Sequence, residues 1–334
     1  MLNVEHRSIS VFDVRYCVFD IELGCMKRIV SLIVFVLVSF SISYAQEFIP
    51  LWEKGKIPNS KGMHLTDSIA NERIYRVATP GMYVFLPGKQ ENKGAAVVIC
   101  PGGGYERLAY VISGLQLAKW FNTMGISAFV LNYRLPNYAD LKQREIGPLQ
   151  DAQRAIRVIR ANAAQWGIDP NKIGVMGSSS GGHLATTLGT HPEDVSAVKD
   201  SLDKFAFNPN FMILVSPVVT MDQKYAHKGS VKNLLGEHPT NQQIAEYSNE
   251  LQVTAKTPPT FIVDAENDKT VNPMNSLLFY QALLNNSVPV SFHVFPQGAH
   301  AIALRNNPGS TELWTGLCEA WLNEMNIIAP IKAK

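Results

Sequence analysis

Gly177-Ser178-Ser179-Ser180-Gly181 places one serine midway between two glycines. An apolar run over 172–176 precedes it, and a small-residue stretch over 184–189 follows. A strand that turns sharply into a helix lifts the residue at the turn above the sheet edge, and glycines two positions to either side keep neighbouring backbone clear of it. Ser178 and Ser180 lack that frame, so Ser179 is the candidate nucleophile. The competing reading is a glycine- and serine-rich loop with no chemistry. The strand before and the helix after favour the nucleophile.

A serine hydroxyl attacks only if a base takes its proton, and the base needs an acid to hold its tautomer. Downstream, the run over 260–264 leads into Ala265-Glu266-Asn267-Asp268-Lys269, and the run over 290–294 leads into Phe295-Pro296-Gln297-Gly298-Ala299-His300. His300 follows two small residues that leave the ring room to swing toward Ser179, so it is the expected base. His293 lies inside a strand and His183 directly after the turn, which makes both structural. For the acid, Asp268 in the turn is favoured over Asp264 at the strand end, with Glu266 bracing the loop.

Charge developing on a substrate oxygen also needs donors. Cys100-Pro101-Gly102-Gly103-Gly104-Tyr105 follows an apolar run, and consecutive glycines let backbone amides approach a ligand oxygen without Cβ interference. Gly103 and Gly104, with the amide of Ser180, are the expected oxyanion donors, and Tyr105 is expected to shape the pocket. The phosphate-loop spacing G-x-x-x-x-G-K-[ST] is absent. No cofactor and no metal site is expected.

These residues need a scaffold that brings distant loops to one edge. Strand patterns fall at 82–86, 95–100, 127–131, 172–176, 211–215, 260–264 and 290–294; helical patterns fall at 114–124, 148–166, 181–188, 274–285 and 311–326. The alternation implies an α/β domain with a mostly parallel central sheet and helices on both faces. Ala96-Val97-Val98-Ile99 has the continuous apolar character of a buried parallel strand. Residues 218–258 break the rhythm and are polar, as a small lid insertion would be, while 46–80 reads as an N-terminal extension before a catalytic domain over 81–330.

With 334 residues and 46% hydrophobic content, the chain can bury the core of one α/β domain of about 280 residues without disulfides. A net charge of +2 leaves no electrostatic footprint for nucleic acid. Met26-Lys27-Arg28, the apolar stretch 29–42 and Ser43-Tyr44-Ala45 form a signal-peptide pattern over 26–45 with cleavage after Ala45. Residues 1–25 then read as an over-extended start. The expected location is secreted or periplasmic, with no stable membrane insertion after cleavage. Cys100 and Cys318 are expected as buried free thiols.

The chain resembles α/β-hydrolase-fold serine esterases, most of all the carbohydrate esterases of the acetyl xylan esterase and feruloyl esterase-like kind. The resemblance rests on Pro101-Gly102-Gly103-Gly104-Tyr105, Asn132-Tyr133-Arg134-Leu135, Gly177 through Ala185, Asn233-Leu234-Leu235-Gly236, Thr257-Pro258-Pro259-Thr260-Phe261 and Gly298-Ala299-His300. It implies a Ser-His-Asp triad, an acyl-enzyme and an acylated plant polysaccharide or oligosaccharide as substrate. Two other readings compete: a serine peptidase of the prolyl-oligopeptidase kind, and a non-catalytic carbohydrate-binding protein on the same fold. The stretch before residue 82 is too short for a propeller domain, which disfavours the first, and no triad member is missing, which disfavours the second. Arg134 is expected to pair with Asp151 as architecture.

Overall fold

Continuous apolar runs become the middle of one sheet. In this computed structural model, which describes residues 47–300 and 302–328, the chain opens with β1 (Phe48–Pro50), a hairpin of β2 (Ser68–Ala70) and β3 (Arg73–Arg76), and β4 (Gly81–Phe85). There follow β5 (Ala96–Cys100), α1 (Gln116–Thr123), β6 (Ser127–Asn132) and α2 (Ile146–Ala161). Next come β7 (Ile173–Ser178), α3 (Ser180–Thr190) and β8 (Met212–Val215). The insertion supplies α4 (Lys228–Leu235) and α5 (Asn241–Glu246), and the chain continues through β9 (Thr260–Ala265), α6 (Met274–Asn285), β10 (Val290–Phe295) and α7 (Trp314–Glu324).

The main sheet has eight strands in the order β1-β4-β6-β5-β7-β8-β9-β10. Every pairing from β6 to β10 is parallel, while β4 and β1 run antiparallel at one edge. Side chains alternate across β5, so Ala96 and Val98 pack with Ile156 of α2, Leu184 of α3 and Phe279 of α6, whereas Val97 and Ile99 pack with Phe121 of α1 and Trp321 of α7. Helices therefore cover both faces. Cys100 and Cys318 sit in opposite layers as buried free thiols, and burial pushes both thiols up.

The stretch 46–80, read above as an extension outside the catalytic domain, contributes to its sheet. β1 pairs with β4, and Ile74 and Leu108 exchange backbone hydrogen bonds of 3.0 and 2.8 Å. Trp52 Nε1 donates to Asp151 Oδ1 at 2.8 Å. The same Asp151 takes the Arg134 guanidinium through Nε (2.9 Å) and Nη2 (2.8 Å), and both side chains are buried. Arg134 Nη1 reaches on to the Pro58 carbonyl at 2.6 Å. One buried ion pair thus ties the end of β6, the start of α2 and the N-terminal segment together.

The insertion 218–258 is rooted in the core at both ends, with Val218, Val219 and Met221 buried at one and Ser248 and Asn249 at the other. Between them α4 lies against the glycine loop, where Asn233 Nδ2 donates to the Gly104 carbonyl at 2.8 Å. Residues 1–25, expected above to be an over-extended start, the signal-peptide pattern expected over 26–45, Ala301 and the last residues of the expected 81–330 domain lie outside the described residues. Among the described residues, no helix is long and apolar enough to cross a membrane.

Candidate active site

β7 ends and α3 begins with a single residue between them, so the chain must reverse direction at Ser179. It does so at φ +54°, ψ −126°, a conformation a serine adopts only under constraint. The constraint is visible on every side: Ser179 N donates to the Val215 carbonyl at 3.1 Å, and its own carbonyl accepts from Gly182 (3.0 Å) and Val218 (2.9 Å). The flanking glycines are required by contact. A Cβ at Gly177 would lie 2.1 Å from the Gly181 carbonyl oxygen, and one at Gly181 would lie 2.0 Å from that of Cys100. Only hydrogen fits in either place.

β9 and β10 deliver the partners. Ser179 Oγ stands 2.9 Å from His300 Nε2, and His300 Nδ1 stands 2.7 Å from Asp268 Oδ2. Asp268 is anchored through its other oxygen, which accepts the backbone N–H of Thr270 (2.8 Å) and Val271 (3.0 Å). Its carboxylate can only accept, so Nδ1 carries the proton and Nε2 accepts from the serine hydroxyl. The competing Asp264 faces elsewhere: it accepts from Ser276 Oγ at 2.6 Å and from the Ala265 N–H at 2.8 Å. Burial lifts its carboxyl to about 6. Asp268 is the carboxylate that the fold brings to His300.

The glycine loop runs alongside. A Cβ at Gly102 would lie 3.0 Å from that of Ser179, so the loop passes against the turn itself. Gly103 adopts φ +138°, and a side chain there would meet the Arg107 carbonyl at 2.1 Å. Among the described residues the N–H groups of Gly103 and Gly104 have no acceptor. Ser180 opens α3, where the helix leaves its first amides unsatisfied and its dipole favours negative charge. Three uncommitted N–H groups therefore border the nucleophile, in a cavity of about 580 Å³ lined by Gly103, Gly104, Ser179 and His300. Among the described residues, no group of three or more His, Cys, Asp or Glu side chains is placed to hold a metal ion.

Tyr105, expected in the pocket, is not there. It is 1% exposed, and its positive φ of 60° turns the side chain beneath the loop. Its hydroxyl lies 2.9 Å from His183 Nδ1, while His183 Nε2 lies 2.8 Å from the Tyr247 carbonyl. A carbonyl only accepts, so Nε2 donates and Nδ1 receives the tyrosine O–H. Burial lowers His183 to about 4, which keeps this ring neutral. The Ser180 hydroxyl accepts from Tyr105 N at 3.2 Å, so the turn and the loop are pinned to each other. Tyr133 adds a bond from its hydroxyl to the Pro101 carbonyl at 2.8 Å. Cavity residues that the sequence pattern did not single out include Arg73, His227 and Trp314. They come from elements separated by long stretches of chain, and no local periodicity marks them.

Comparison with known proteins fits this geometry. The BD-FAE family model matches residues 82–283, a span that contains the glycine loop, Ser179 and Asp268. The chain belongs to the BD-FAE family. The chain is 36% identical over 223 residues to an acetylxylan esterase of Xylanibacter ruminicola, covering 66% of this chain and 43% of that one. An endo-1,4-beta-xylanase B of Butyrivibrio fibrisolvens is 35% identical over 228 residues, covering 68% and 35% respectively. The chain thus spans less than half the length of these two relatives. Among solved structures, an acetyl ester-xyloside bifunctional hydrolase from Caldicellulosiruptor lactoaceticus matches with a TM-score of 0.73 at 36% identity, covering 85% of this chain and 98% of that one. A carboxylesterase from Lactobacillus plantarum matches at 23% identity with a TM-score of 0.64, a likeness of fold. Sheet order, turn and neighbours together make this an α/β-hydrolase fold.

Proposed function

We propose that this BD-FAE member is a serine esterase that removes acyl groups, acetyl foremost, from plant polysaccharide or oligosaccharide. The observation that carries it is the hydrogen-bonded line from Ser179 through His300 to Asp268, opening beside three unspent amides. Ser179 Oγ attacks the ester carbonyl carbon as His300 Nε2 takes its proton, and Asp268 steadies the imidazolium that forms. The amides of Gly103, Gly104 and Ser180 take the oxyanion. His300 returns the proton to the departing alcohol; water, deprotonated by the same nitrogen, then releases the acid and frees the serine.

Two relatives, an acetylxylan esterase and an acetyl ester-xyloside bifunctional hydrolase, support acetylated xylose units as the substrate class. The basic and apolar pattern over 26–45 supports export, which would place the enzyme where plant polysaccharide is met. Acetate release from acetylated xylan and hydrolysis of p-nitrophenyl acetate test the reading. Ser179→Ala should lower both by several orders of magnitude and abolish fluorophosphonate labelling. Near-normal turnover in that variant would sink the proposal.

A further inference from the structure

The insertion sets a polar pair in the cavity wall that ester hydrolysis, as described, leaves unused. His227 precedes α4 and caps it: its Nδ1 accepts the Ser230 N–H at 3.2 Å, with Ser230 Oγ at 2.9 Å from the same nitrogen. A ring nitrogen that accepts carries no proton, so the neutral imidazole holds its proton on Nε2. Burial first, and the nearby His300 second, lower its pKa and keep the ring neutral. Nε2 has no partner among the described residues, and His227 lines the cavity.

The ring is held in place by what surrounds it. A Cβ on Gly229 would lie 3.2 Å from its Cε1, and one on Gly104 would lie 3.7 Å from the same atom, so the ring fits against two residues that have no side chain. It meets the glycine loop at Gly104, whereas Ser179 meets that loop at Gly102. The ring therefore stands next to the reacting centre, farther along the loop. Asn233 lines the same cavity; it gives its Nδ2 to the Gly104 carbonyl, and its amide oxygen has no partner among the described residues.

An unpaired donor and an unpaired acceptor beside the ester suit a group that both accepts and donates. A hydroxyl is that group, and a sugar carries hydroxyls next to its acylated position. We propose that His227 Nε2–H and Asn233 Oδ1 hold a free hydroxyl of the sugar bearing the scissile ester, and so select carbohydrate esters over simple ones. The proposal rests on the esterase reading above.

The test compares kcat/KM on acetylated xylo-oligosaccharide with that on p-nitrophenyl acetate, which has no hydroxyl to hold. His227→Asn keeps a side-chain oxygen to cap Ser230 N–H, and its NH2 stops at the depth of the ring carbon Cδ2, short of where Nε2–H reached into the cavity. The ratio of the two values should fall about tenfold, the scale of one lost hydrogen bond, with the loss carried by KM on the oligosaccharide. His227→Ala should shift the ratio equally while also lowering the melting temperature, which separates the cap from the contact. An unchanged ratio in His227→Asn overturns the pair's role and leaves the esterase reading standing. A wild-type protein that cleaves p-nitrophenyl acetate but no acetylated sugar overturns the pair together with the carbohydrate substrate, and one that cleaves neither overturns both readings entirely.

Discussion

Replacing Asp268 by asparagine exchanges one oxygen for an NH2 at nearly constant volume, so its effect isolates a proton. Asp268 Oδ1 accepts two backbone N–H groups, from Thr270 at 2.8 Å and Val271 at 3.0 Å. Those donors cannot face an NH2, so they fix the asparagine oxygen in the Oδ1 position and turn the NH2 toward His300. Nδ1 must then accept and Nε2 must carry the proton. The nitrogen 2.9 Å from Ser179 Oγ loses the lone pair that would receive the serine proton. The same exchange in a serine protease triad lowers kcat about 10⁴-fold, equivalent to about 5 kcal/mol, and a fall of that order is expected here. The assay is kcat/KM on p-nitrophenyl acetate, with circular dichroism to show that the variant is folded and Asp264→Asn run in parallel. Asp264 hydrogen-bonds Ser276 and Ala265, not His300, so its variant should lose little turnover. If Asp264→Asn fell further than Asp268→Asn, the tautomer argument and the choice of acid would both be wrong.

Gly181→Ala forces a Cβ to within 2.0 Å of the Cys100 carbonyl oxygen, displacing turn and glycine loop together; turnover should drop about 10²-fold, and an active variant would refute the packing argument. Arg134→Ala strands the buried Asp151 carboxylate, at a loss of about 3–5 kcal/mol, and the melting temperature should fall by roughly 10 °C. Lost turnover at an unchanged melting temperature would contradict that structural role. Burial raises Asp264 from 3.8 to about 6, so the native state holds this proton longer than the unfolded one. The stability it contributes is full below pH 3.8 and is lost as pH rises through 6. Relative to wild type, Asp264→Asn should therefore gain about 2 kcal/mol between pH 4 and 7 in urea titrations, and a gap that narrows with rising pH would refute this.

The parallel strands were legible because a strand buried on both faces is an unbroken apolar run, as in β5 and β9. β1, β2 and β3 were not, since each is three or four residues long: β1 exists through pairing with the distant β4, and β2 and β3 form a short hairpin with few buried residues. α5 carries a reciprocal cap between Thr240 and Gln243, yet no residue of that helix is buried, so hydrophobic periodicity passed over it. In the site, Ser179, Asp268 and His300 announce themselves by what precedes them: an apolar strand, then glycine or a turn. Tyr105 misled because its backbone enters the left-handed region and takes the side chain under the loop, a reversal no spacing records. His227 was invisible for the opposite reason, standing alone in a polar stretch as a helix cap.

His183, on the helix that follows the turn, joins that helix to two other parts of the chain. The glycine loop hangs on one nitrogen through Tyr105, and the insertion closes on the other through the main-chain carbonyl of residue 247. The side chain at 247 is not part of that link, but the course of the backbone is. Point substitutions in the wall can accordingly adapt it to new esters at no expense to the amides, whereas lengthening or shortening the insertion near 247 pulls on them directly. In this chain, exchanging a wall residue and changing the length of the insertion near 247 are therefore different events for the glycine loop.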